Sequence, residues 1–185
     1  MFEGQKYDAA ATVEVAVADS EFAPAEAGRQ SEDSAEAMSE EELAGLLAAE
    51  PLAVVETKYT IQDENYKSIY PDMLQAIIQN NTESDIKDAV VAFVAWDENG
   101  LPVKIEGQFD FGEHQYVKEV QYSDINLTPG STYGDQSGYN LGQNSTIRYQ
   151  KAIAVSYVTF EGDTWENPYY KEFLKLYEGQ KITVQ

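Results

Sequence analysis

The chain has 185 residues, enough for one domain of ordinary size plus an appendage, with 33 acidic against 12 Lys and Arg residues and a net charge of −21. That balance excludes nucleic-acid phosphates and anionic membrane surfaces as partners, because both need clustered cations. There is no cysteine, so disulfides, thiol catalysis and Cys-type zinc sites are excluded as well.

The charge is unevenly placed. Residues 1–50 hold 13 acids against Lys6 and Arg29, whereas residues 51–185 hold twelve of the thirteen tyrosines and both tryptophans. The aromatic core therefore belongs to the second segment. Solubility and self-repulsion account for the acidity, with cation binding as the alternative. No 18-residue apolar run and no basic-then-apolar leader is present in this sequence, so the chain is expected to behave as soluble.

From Met1 to Val17, alternating Val13, Val15 and Val17 fit a lone strand or nothing ordered. Ala18 to Met38 is Ala, Glu, Ser, Gly and Pro with almost no large apolar residue, and reads as a linker. Ser39-Glu40-Glu41-Glu42 is a capping box that opens a short helix near 40–50. Leu43, Leu46 and Leu47 form its apolar stripe, and Pro51 stops it.

Alternation from Val54 to Ile61 predicts a half-buried strand with Val55, Thr57, Tyr59 and Ile61 on one face. Tyr66 to Pro71 is expected to start the next element, and Leu74 to Gln79 reads as a strand ending in the turn Asn80 to Asp85. Ile86 to Trp96 is apolar on both alternating sets, which marks a central strand covered on both faces. Asp97-Glu98-Asn99-Gly100 then makes a hairpin turn into Leu101, Val103 and Ile105.

A strand from Tyr116 to Tyr122 leads to Pro129-Gly130, a type II turn. Thr128 to Ser145 is rich in Gly, with Tyr133 and Tyr139, and is expected to be a surface loop or ragged edge. The last long strand, Ile147 to Phe160, places Ile147, Tyr149, Ile153, Val155 and Tyr157 on one face, with a turn at 161–164. Asn167-Pro168 predicts an N-cap and first helical residue for a helix to Tyr177, with Gly179 after it and an edge strand at Lys181 to Val184. About seven strands joined by turns predict a mainly β protein. The expected architecture is an immunoglobulin-like antiparallel β-sandwich over 51–185, with a short helix on either side.

Ile78-Gln79-Asn80-Asn81-Thr82, the Ile86–Val90 run, Phe93, Trp96-Asp97-Glu98-Asn99-Gly100 and Leu127-Thr128-Pro129-Gly130 together resemble the bacterial FxLYD type of immunoglobulin-like module. Ile153 to Phe160 and Asp163-Thr164-Trp165-Glu166-Asn167-Pro168-Tyr169-Tyr170 bring the chain closer to a related domain-of-unknown-function family. The resemblance covers roughly Val54 to Tyr177. It implies a module of Gram-positive surface or membrane-anchored proteins, extracytoplasmic, held through a segment outside this sequence, and it carries no catalytic residue.

His114 is the sole imidazole and has no G-x-S-x-G nucleophile setting. Asp110, Glu113 and His114 have metal-ligand chemistry, but lone residues at that spacing read as an exposed turn, and Asp97, Glu98 and Asn99 read as a hairpin before a calcium loop. No catalytic residue, metal or cofactor is expected. The candidate partner-binding residues are the aromatics Tyr133, Tyr139, Trp165, Tyr169 and Tyr170, which can stack on sugars or proteins or else pin the C-terminal helix. The functional expectation is a non-enzymatic interaction or spacer module with a protein or glycan partner at the cell surface. The alternative is a carbohydrate-binding module using exposed aromatics.

Overall fold

The computed structural model describes residues 38–184, apart from 64, 67, 68, 111, 113 and 144. The linker, the Val13–Val17 alternation and Glu113 lie outside the described residues. What is described is mainly β: nine strands in two antiparallel sheets, with two helices.

Helix α1 (Glu40–Ala48) begins where the capping box places it, with the Ser39 hydroxyl accepting the Glu42 amide at 3.2 Å and three glutamates in the first turn. Strand β1 (Leu52–Thr60) pairs with β2 (Met73–Asn80), and the far edge of β2 is shared by two short strands, β6 (Thr132–Tyr133) and β7 (Tyr139–Asn140). The second sheet is built on β3 (Ile86–Trp96). One edge of β3 takes β4 (Pro102–Val103) and β5 (Val117–Tyr122), and the other takes β8 (Tyr149–Thr159), which carries β9 (Thr164–Glu166) outside it. Helix α2 (Tyr170–Tyr177) follows.

Sheet 2 is the middle layer. Its inner face meets sheet 1 in a core built on Leu52, Leu74, Ile78, Ile86, Val91 and Phe93. Its outer face carries Ala92, Val94, Trp96 and Ile153 against Leu43 of α1 and Phe173 and Tyr177 of α2. This is why β3 is apolar on both alternating sets. Trp96 is closed in by an edge-on contact with Tyr177 and by its indole N–H, which donates to the Gln180 carbonyl at 2.7 Å.

Several expectations are corrected. A bulge between Val54 and Glu56 inserts one residue into β1 and flips its phase, so Val54 and Tyr59 pack on the core while Val55 and Ile61 stand exposed. A second register shift, in β8 opposite Val90 and Val91, splits the face expected for that strand. Ile147 and Tyr157 pack between the sheets, Ile153 and Val155 lie under the helices, and Tyr149 is exposed.

Tyr66 to Pro71 is not the start of a strand, for the Tyr70 amide turns back to the Tyr66 carbonyl at 2.7 Å. Of the two expectations for 128–145, the ragged edge is what forms, as two-residue strands on β2. Gly134 (φ +115°) and Gly138 place backbone where a Cβ would stand 2.1 and 2.2 Å from the Ala76 and Leu74 carbonyl oxygens, so the glycines let β6 and β7 close on β2. Trp165 belongs to a strand that the alternation does not announce. Asn167 gives its side chain to the Tyr169 amide and the Ala154 carbonyl, and α2 opens at Tyr170 instead of Pro168. Lys181–Val184 forms no strand, and only the Ile182 amide reaches back, to the Gly100 carbonyl at 3.0 Å.

Candidate interaction surface

The five aromatics singled out in the sequence are all half-buried, and they do not meet at one site. Tyr133 packs on the inter-sheet core, with its ring 5.5 Å from that of Tyr122. Tyr139 packs there too, its hydroxyl donating to Asp110 at 3.1 Å beneath the Lys118 ammonium, and its ring lies where Gly107 leaves room for it. Trp165 stacks on Tyr157 at 5.4 Å with planes 20° apart. Tyr169 and Tyr170 pack on the opposite, helix-covered face of sheet 2.

Two polar groupings accompany them. Lys118 bonds Asp110 at 2.5 Å, and this ammonium together with the Tyr139 hydroxyl holds the Asp110 carboxyl below its usual range. The same pair raises Lys118, and burial raises the Tyr139 phenol. Tyr170 donates to Glu119 at 2.6 Å, and burial followed by that bond pushes its phenol well up. A recess of about 510 Å³ lies between these two groupings. Asp110 with Lys118 and Tyr139, and Glu119 with Tyr170, answer each other across it and hold the chain together. Asp97 is likewise spent within its turn, its Oδ1 accepting the Asn99 and Leu101 amides at 2.8 and 2.9 Å.

The open surface lies at one end of the two sheets. Four connections meet there: 61–72 before β2, 97–101 after β3, 104–116 before β5, and 141–148 before β8. Backbone bonds join 141–148 to 61–72, Leu141 to Asp72 at 2.8 Å, and to 104–116, Gly142 to Glu106 at 2.9 Å, while Gln108 bonds Asn140 of β7 at 3.0 Å and Arg148 bonds Trp96 of β3 at 2.7 Å. The buried Asp72 carboxylate fixes the first connection, accepting the Gln62 amide at 2.8 Å and the Tyr59 hydroxyl at 3.2 Å.

Of the ten large apolar side chains exposed among the described residues, eight belong to these connections or to the strand residue beside them. Tyr66 is 57%, Tyr70 62%, Ile69 69% and Phe109 78% exposed, with Ile61 beside them in the chain. The exposed apolar side chains are thus concentrated at one end of the sheets instead of being scattered. Strand periodicity misses these residues because they lie in connections. The signal available in the sequence is the apolar content of Ile61–Tyr70 and Phe109 set among Asp, Glu, Asn and Gly, where no strand could bury them.

A model described as a family of unknown function, DUF5780, matches residues 73–180. The chain belongs to that family. The DUF5780 segment opens at the first residue of β2 and closes at Gln180, the acceptor for Trp96, so it spans sheet 2 and α2 but leaves α1 and β1 outside. A solved structure of a hypothetical protein from Peptoclostridium difficile 630 has a similar fold, with a TM-score of 0.59 and 14% identity over 72% of this chain and 94% of that one. No curated protein matches the chain.

Proposed function

We propose that this DUF5780 protein is a non-enzymatic, extracytoplasmic interaction module that holds a partner at the loop end of an immunoglobulin-like sandwich. The observation that carries the reading is the gathering of exposed apolar side chains on four connections at one end of the sheets, three of them joined by backbone hydrogen bonds. The strand orders β1-β2-β6/β7 and β5-β3-β8-β9 support the immunoglobulin-like assignment. Placement at a bacterial cell surface rests on the resemblance to surface modules.

A carbohydrate partner is the second reading. It is favoured by Tyr66, Tyr70 and Phe109, exposed rings of the kind that stack on sugars, in place of the five aromatics first expected.

Binding of the labelled protein to fixed Gram-positive cells tests both readings, with the doubly substituted Tyr70→Ser, Phe109→Ser chain as comparison. Both side chains are exposed, so the variant keeps its fold. The expected result is binding that falls at least tenfold in the variant. Protease treatment of the cells removes a protein partner, and glycan hydrolase treatment a carbohydrate one. Equal binding by the variant, or turnover of a substrate in a hydrolase panel, overturns the proposal.

A further inference from the structure

A second surface lies away from the loop end, where the edges of the two sheets part. β1 is the outer strand of sheet 1, and along Ala53–Thr57 no backbone hydrogen bond joins its free edge to another described residue. β8 runs beside it, and the seam is bridged by the Gln150 side-chain amide, which donates to the Lys58 carbonyl and, at 3.3 Å, to that of Gln75. Between this edge, α1 and the Phe173–Tyr177 side of α2 opens a recess of about 570 Å³ with an apolar lining that includes Ala44, Leu47, Val54, Ala152 and Phe173.

Carboxylates outnumber cations at the recess. Glu40, Glu41 and Glu56 line it, and its one cation, Lys151, is already taken by Glu40 at 3.3 Å and by the Tyr177 hydroxyl at 3.1 Å. Lys58, next along β1, is held by Asp135 and Glu56. An unpaired strand edge invites another strand, but a second copy of this chain would bring its own glutamates to the same place.

We propose that this recess is a peptide-binding groove that takes a short extended segment carrying Lys or Arg between apolar residues. The segment's backbone adds to the β1 edge, alternate apolar side chains enter the recess, and its cations meet Glu41 and, in exchange for Lys58, Glu56. Two walls of the groove, α1 and β1, lie outside the segment matched by the family model, while Lys151, Ala152, Phe173 and Tyr177 line it from within that segment.

The test is fluorescence polarisation with a labelled decapeptide of alternating Val and Lys, against the whole protein. Two control peptides have Glu for Lys, or Pro for every second Val, the latter keeping the charge while breaking strand pairing. The expected result is saturable binding of the Val-Lys peptide alone. It falls at least tenfold with Glu41→Lys plus Glu56→Lys, both at the rim, and with Ala44→Trp, which fills the recess from an exposed position. Raised salt weakens it.

The Tyr70→Ser, Phe109→Ser chain binds this peptide as the wild type does, so failure at the loop end and failure here are told apart. Absence of saturable binding, equal binding of the Glu or Pro peptides, or indifference to the three substitutions overturns the proposal. So does a concentration-dependent dimer that Ala44→Trp dissolves, which would make a second copy the occupant.

Discussion

Leu43→Ala is expected to release α1 from the protein while leaving the sheets intact. Leu43 is the one fully buried residue of α1, 1% exposed among Trp96, Ile153, Phe173 and Tyr177. Fully burying such a side chain stabilises by about 1.5–3 kcal/mol. The other attachments are smaller: Leu47 is half-buried, and the Glu40–Lys151 pair, with 60% and 40% of its side chains exposed, contributes about 0.2–1 kcal/mol. Leucine-to-alanine changes at closed sites cost about 2.7–5 kcal/mol, as much as the whole of this attachment.

A nine-residue helix does not persist alone, so the undocked segment loses its hydrogen bonds. The loss to the rest of the protein is capped at the docking energy, roughly 3 kcal/mol, or a fall in Tm of about 5–10 °C. Hydrogen exchange reads this directly. The amides of 43–49 become nearly unprotected, while those of β3 remain protected by several orders of magnitude. If α1 and β3 amides exchange together in the variant, α1 is part of the one cooperative unit and the reasoning is refuted.

Gly138→Ala is expected to destabilise by more than 1 kcal/mol, because its Cβ would stand 2.2 Å from the Leu74 carbonyl oxygen and β7 must leave the β2 edge; urea unfolding measures it. Burial raises the Tyr122 phenol to about 12, so its contribution to stability is complete below pH 10 and lost as the pH rises from 10 to 12. Tyr122→Phe should flatten the alkaline limb of a stability-against-pH curve over that window, and an unchanged limb would contradict the burial. Acrylamide should quench one tryptophan of two: Trp96→Phe leaves the accessible Trp165 signal, and Trp165→Phe leaves a protected one.

The fold was legible where one physical cause dominated. The cap at Ser39, the two-faced run from Ile86 to Trp96 and the turn at Asp97–Gly100 each follow from local chemistry, and each stands where the residues put it. The faces of β1 and β8 were misread because a bulge adds a residue without any mark in composition, and every side chain after it changes sides. The Gly-rich segment read as loop or ragged edge because its pairing with β2 is decided by close backbone approach, a property of glycine's missing Cβ and not of alternation. The gathering of exposed side chains at the loop end was missed for a related reason. Tyr133, Tyr139, Trp165, Tyr169 and Tyr170 drew attention as a class of side chain, whereas Tyr66, Tyr70 and Phe109 matter through their place in connections that converge only in three dimensions.

The two-sided cover of β3 also sets a timetable for synthesis. Its β8 partners lie 53 to 73 positions further along the chain, and the ring that closes over Trp96 belongs to Tyr177. At ribosomal rates of about 5–20 residues per second, the most apolar strand of the protein waits on the order of 4–16 s for its last covering residue. During that wait Ala92, Val94 and Trp96 stand uncovered on the nascent chain, which is where a chaperone would engage and where a truncated product would aggregate.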